Sequence, residues 1–202
     1  MELNHPINYS VLANTIIKKR SASKMPLTIF VGGVWGAGKT TLSELLCESL
    51  PFSVYRISVG RIACEIAERM DPSLNSIECA EASFLNICQK ETVKSINTII
   101  NANKEYSCFI LDGHYVLPST QRETYRLPNF FFKELGINLL VVCQCEQSII
   151  KHRLESRNTD QRPMEIVLHR GEKYIQEEKE YAEKISSMLL IPLIKVHNSL
   201  NH

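Results

Sequence analysis

The stretch Gly33-Val34-Trp35-Gly36-Ala37-Gly38-Lys39-Thr40-Thr41 is a complete G-x-x-x-x-G-K-T loop, and it constrains the fold more than any other part of the chain. Such a loop works between a strand and a helix. Its glycines let successive backbone N–H groups curl around a phosphate without interference from Cβ. Its lysine reaches the β- and γ-phosphates, and the hydroxyl that follows is a Mg²⁺ ligand. Both flanks are present: Leu27-Thr28-Ile29-Phe30-Val31 enters as a buried strand, and Thr40-Thr41-Leu42-Ser43-Glu44-Leu45-Leu46 leaves with helical spacing. A phosphate would then sit at a helix N-terminus, facing free N–H groups and the positive end of the helix dipole. A Gly-rich turn that binds nothing has no packing use for Lys39. The candidate nucleotide-binding residues are therefore Gly33, Gly36, Ala37, Gly38, Lys39, Thr40 and Thr41, and the implied ligand is a nucleoside triphosphate.

At 202 residues the chain suits one domain with a sizeable core, here 27–202, preceded by a leader over 1–26. A net charge of +1 gives no global signal for nucleic acid or an anionic membrane, and no basic stripe is interleaved with aromatics. No stretch is long and apolar enough to span a bilayer. The basic residues Lys18, Lys19, Arg20 and Lys24 are not followed by a signal-peptide core. Seven cysteines lie mostly in apolar segments without a C-x-x-C pair, which reads as reduced, packed thiols in a cytoplasmic protein. Tyr9, Leu12, Ile16 and Ile17 suggest a short amphipathic helix in the leader, open to packing on the domain or to binding a protein partner.

Beyond the loop helix, strands and helices alternate. Strands are expected at 53–58, 107–111, 138–145 and 191–196, with helices over about 60–70, 76–103, 129–135, 147–157 and 164–189. That alternation predicts a three-layer α/β fold on a parallel five-stranded sheet. Ligands of such sheets bind beyond the carboxyl ends of the strands, where both the loop and Asp112 fall.

Asp112 closes the apolar run Ser107-Cys108-Phe109-Ile110-Leu111. An acid there can order the shell of a Mg²⁺ ion already held by Thr40 and phosphate. His114, two residues on, either positions a phosphate or a water, or satisfies a loop carbonyl. Arg153 and Arg157 are four apart on a helical stretch and face the same way. Guanidinium forks suit the spread charge of a migrating phosphoryl group, and a mobile flap carrying them would also exclude water.

Together these pieces resemble the nucleoside monophosphate kinase group of phosphate-loop enzymes, and within it the archaeal-type adenylate kinases and their eukaryotic nuclear relatives. Carrying the resemblance are Gly33–Thr41, Asp112-Gly113-His114, Arg153-Leu154-Glu155-Ser156-Arg157 and the final helix and strand through Lys195-Val196, covering about 27–198. The resemblance implies a phosphate-loop kinase fold with a helical acceptor region and a short lid. It also implies Mg²⁺-dependent transfer of the ATP γ-phosphate to a nucleoside monophosphate. Lys39 would track the phosphate, Thr40 and Asp112 would serve the metal, and Arg153 and Arg157 would clamp the transition state. Acceptor contacts would fall to Arg61, His114 and Arg122, with Arg61 beside Gly60 at a helix start the first choice; each arginine also reads as ordinary surface charge. The segment after the last strand, His197-Asn198, would approach adenine. Two other functions stay open: phosphorylation of a metabolite or nucleoside hydroxyl, and an ATPase or nucleotide-dependent switch acting on a protein through residues 1–26.

Overall fold

The computed structural model describes residues 9–74, 76–77, 80–118, 123–156 and 162–198, with 162–168 described by main chain alone. Arg122 and Arg157 lie outside the described residues, as do residues 1–8 of the leader.

Five parallel strands form the sheet: β1 (Leu27–Gly32), β2 (Val54–Ser58), β3 (Cys108–Asp112), β6 (Leu139–Gln144) and β7 (Leu193–His197). Their order is β2-β3-β1-β6-β7. From β1 the chain runs out to edge strand β2, returns to β3 beside β1, then crosses to β6 on the other flank. The reversal sits at β1, so the phosphate loop leaves the sheet at its topological switch point. Every residue of β1, β3 and β6 is buried, as expected for central strands covered on both faces. Phe30 anchors the interior, meeting Tyr115 edge-on at 4.9 Å and Phe132 at 5.4 Å between ring centroids.

Helices α2 (Lys39–Ser49), α3 (Val59–Met70), α4 (Ala82–Ala102), α5 (Asn129–Glu134), α6 (Gln147–Glu155) and α7 (Arg162–Leu189) connect the strands. A leader helix, α1 (Tyr9–Ala22), buries Leu12 and Ile16 in the common core and donates from the Tyr9 hydroxyl to the Leu45 carbonyl at 2.5 Å.

Four features depart from the sequence expectation, each for a local reason. The helix expected from residue 76 starts at Ala82, because Glu81 is extended (ψ 147°) and Ile77 is instead packed through a turn closed by the Ala80 amide. The last strand starts at Leu193, since Leu190 takes a left-handed φ of 55° and Pro192 offers the ladder only its carbonyl, which receives the Leu140 amide. The loop after Asp112 contains a short antiparallel ribbon, β4 (Val116–Leu117) with β5 (Tyr125–Arg126), too short for an alternation signal. Finally, α7 is two helical pieces meeting at Gly171, whose φ of 46° and ψ of −130° are non-helical.

Candidate active site

Two of the loop glycines hold positions that a side chain would disrupt. Gly33 has φ 149°, and a Cβ there would lie 2.6 Å from the Cys143 carbonyl of β6. Gly38 caps α2 in the left-handed region at φ 89°, and a Cβ there would collide with the Asn198 amide. The loop is thus wedged between the ends of β1, β6 and β7.

Lys39 curls back, its ammonium donating to the carbonyls of Gly33 (2.8 Å) and Val34 (3.0 Å). Thr40 is exposed at the mouth. A cavity of about 230 Å³ opens over the loop, and its lining includes Gly36, Gly38, Lys39, Thr40, Ser58 and Asp112. The sheet register explains part of this grouping, since Ser58 and Asp112 are paired at the ends of β2 and β3.

Asp112 is 7% exposed and ion-paired: the Arg56 Nε donates to its Oδ2 at 2.9 Å, while the same guanidinium reaches Glu44 on α2, also at 2.9 Å. The sequence reading missed Arg56. Its signal was a lone cation inside the strand Val54–Ser58, two residues from Ser58 and so on the same face. Thr40 and Asp112 form a compatible pair of oxygen donors for a hard cation, an accessible hydroxyl and a buried carboxylate lining one cavity. Among the described residues there is no group of three or more His, Cys, Asp or Glu that could hold a metal by itself, so any such ion would also depend on ligand or water oxygens.

His114 is held from α7. Its Nδ1 lies 3.2 Å from Glu178 Oε1 and 3.1 Å from the Tyr174 hydroxyl, and the ring packs 4.8 Å from the Trp35 ring. Burial, reinforced by the Lys39 charge, pushes the imidazole well below its usual range, against a bond to the Gly33 backbone that favours the proton. Glu178 is 1% exposed, and burial lifts its carboxyl to about 8 although Lys39 and bonds from the Tyr115 and Val116 amides favour the anion. No sequence signal singles out Glu178 among the many acids of α7.

A second cavity, about 210 Å³ and mostly apolar, adjoins the first and shares Trp35, Gly60 and His114 with it. Val59, Ala63, Leu117, Tyr125 and Leu127 line it, with Gln89 at its wall. Gln89 is 5% exposed, and its side-chain oxygen has no hydrogen-bond partner among the described residues.

The remaining expected residues fall elsewhere. Arg61 belongs to neither of these two linings: its side chain is 80% exposed and paired with Glu65 at 2.9 Å. Arg153 braces the phosphate loop, donating to the Gly36 carbonyl at 3.0 Å and to Asn198 Oδ1 at 3.3 Å. Asn198 in turn donates to the Ala37 carbonyl at 3.1 Å. Trp35 stands between the two cavities, against His114 and Tyr174.

A parallel α/β sheet with a phosphate loop at its switch point, a buried acid on the neighbouring strand and a second cavity beside the first defines a P-loop nucleotide-dependent enzyme of the kinase type. The chain belongs to the AAA domain family, whose model matches residues 32–167. A solved structure from work on the PezAT chromosomal toxin–antitoxin system of Streptococcus pneumoniae superposes with a TM-score of 0.52, covering 96% of this chain and 79% of that one. At 14% identity that likeness speaks for the fold alone. No curated protein sequence matches the chain.

Proposed function

We propose that this protein transfers the ATP γ-phosphate to a small acceptor held in the cavity behind Trp35 and His114, with a nucleoside monophosphate as the leading acceptor. The observation that carries the reading is the pair of contiguous cavities sharing Trp35, Gly60 and His114, one lined by the phosphate loop and the other apolar. A flat heterocycle suits such a lining, and a ring N–H could satisfy the Gln89 oxygen. Thr40 and Asp112 would hold a Mg²⁺ ion, whose chemistry is to offset charge on the phosphates. Lys39 exchanges carbonyl partners for phosphate oxygens. An acceptor phosphate is already ionised, so positioning and charge neutralisation suffice for transfer without a general base.

A second reading is favoured by one feature: among the described residues no Arg or Lys lines the apolar cavity. That suits an uncharged acceptor bearing a hydroxyl. The oxygen would attack the γ-phosphorus as the bond to the β,γ-bridging oxygen breaks and ADP leaves, the hydroxyl proton passing to Asp112 or His114. Among the described residues no helix is long and apolar enough to cross a membrane; a cytoplasmic location is a proposal. A partner for the leader likewise remains a proposal.

Product analysis tests the function, using Mg·ATP with a panel of nucleoside monophosphates, nucleosides and water. A nucleoside diphosphate formed from one monophosphate supports the first reading, and a phosphorylated nucleoside the second. ADP release indifferent to every acceptor points to an ATPase or switch. Lys39→Ala is expected to abolish transfer in a folded protein; normal turnover in that variant would overturn the site.

A further inference from the structure

One face of α7 makes a run of polar bonds to the segment between β3 and α5, none of which the proposed chemistry uses. Tyr174 bonds the His114 ring (3.1 Å). Glu177 accepts from the Thr124 hydroxyl (2.9 Å). Glu178 accepts from the Tyr115 amide (2.9 Å) and meets His114 (3.2 Å). Tyr181 donates to the Leu127 carbonyl (2.6 Å). The spacing i, i+3, i+4, i+7 puts all four on one helical stripe. Their targets flank both strands of the β4–β5 ribbon, His114 and Tyr115 before β4 and Thr124 and Leu127 on either side of β5, and His114, Leu117, Tyr125 and Leu127 from that segment line the apolar cavity.

Glu178 is the centre of this stripe and the most deeply buried of the described acids, at 1% exposed against 7% for Asp112. Burying a carboxyl group carries a desolvation cost that apolar packing of the same volume would avoid. What the carboxyl offers in exchange is two oxygens. One faces His114 and the other takes the Tyr115 amide, so a single residue fixes ring and backbone of the turn that leaves Asp112.

We propose that Glu178 is a positioning residue: acting through His114 and the turn that follows Asp112, it sets the acceptor wall at a fixed place relative to the phosphate loop. The inference rests on the phosphotransfer reading for its kinetic consequence, but its structural claim can be read without any acceptor.

The test uses the full chain with Glu178→Gln and Tyr181→Phe. The glutamine is nearly isosteric but replaces one acceptor oxygen with an N–H₂ donor; the phenylalanine removes only the bond to Leu127. The acceptor-free readout is emission and acrylamide quenching of Trp35, the only tryptophan, whose ring rests on His114. The kinetic probe is Mg·ATP with AMP, against a water blank. The expected result for Glu178→Gln is an altered Trp35 signal and an ATP KM close to that of the parent. Its kcat falls roughly 10- to 100-fold, the scale of a misplaced reactant. Tyr181→Phe should move acceptor KM more than ATP KM. An unchanged Trp35 signal in a folded Glu178→Gln protein overturns the proposal. So does a parallel loss of fold, nucleotide binding and turnover, which would make Glu178 a stability residue only. If the parent transfers nothing to AMP, the kinase reading loses its leading acceptor, while the Trp35 comparison still decides the role of Glu178.

Discussion

Asn198 is the residue whose loss the structure makes most calculable. It follows β7, is 5% exposed, and uses both ends of its amide on the phosphate-loop region: Nδ2 to the Ala37 carbonyl at 3.1 Å, Oδ1 from Arg153 at 3.3 Å. Asn198→Ala removes both. Ala37 is fully buried, so its carbonyl loses a partner that water cannot easily replace, a cost of about 1–3 kcal/mol. Arg153 keeps Gly36, so its lost bond, long and only partly buried, adds roughly 1 kcal/mol. The sum is about 2–4 kcal/mol. For a chain of this size each kcal/mol moves Tm by about 2–4 °C. A urea m-value of about 2–3 kcal/mol/M turns the same loss into a midpoint shift of roughly 0.7–2 M. The assay is urea unfolding of parent, Asn198→Ala and Asn198→Asp, alongside Mg·ADP affinity. The aspartate keeps the Arg153 acceptor but has no N–H for Ala37, so it isolates the carbonyl contribution. Affinity should weaken along with the loop, since the competent loop conformation becomes less populated. A midpoint within about 0.2 M of the parent, with unchanged ADP affinity, would refute the brace, because at that slope the loss is under about 0.6 kcal/mol.

Three further expectations follow from the same geometry. Arg61→Ala should leave acceptor KM and kcat unchanged, because its guanidinium faces solvent and Glu65; a raised acceptor KM would bring it into the site. Burial pushes the Cys108 and Cys143 thiols up to about 12, so iodoacetamide near neutral pH should label exposed Cys64 well before either of them, and early labelling of Cys143 would show an open loop. Glu178 in the folded chain holds a proton up to about 8, one that the unfolded chain releases near 4.5. His114, with its pKa lowered from 6.5, is neutral in both states above that value. Stability should therefore fall as pH rises from about 6.5 to about 8, and Glu178→Gln should flatten that slope in urea midpoints measured across the window; an equal slope in the variant would remove Glu178 as its source.

What could be read from the sequence was whatever local chemistry sets. A strand, a glycine loop and a helix form from neighbours along the chain, so Gly33–Thr41 could be placed without knowing the rest. Continuous apolar runs marked β1, β3 and β6 because central parallel strands have no solvated face. Asp112 was visible for the same reason, as an acid ending such a run. Three features depended on contacts between distant residues. Arg56 became the partner of Asp112 through strand register, across 56 positions of chain. Arg153, expected over the phosphate, became a brace because the end of β7 brings Asn198 beside the loop and offers it an acceptor. Glu178 met Tyr115 from 63 residues away once α7 packed against the turn after β3. Sequence spacing governs which residues share a face; which groups then lose water together, and so must find each other, is decided only when the faces meet.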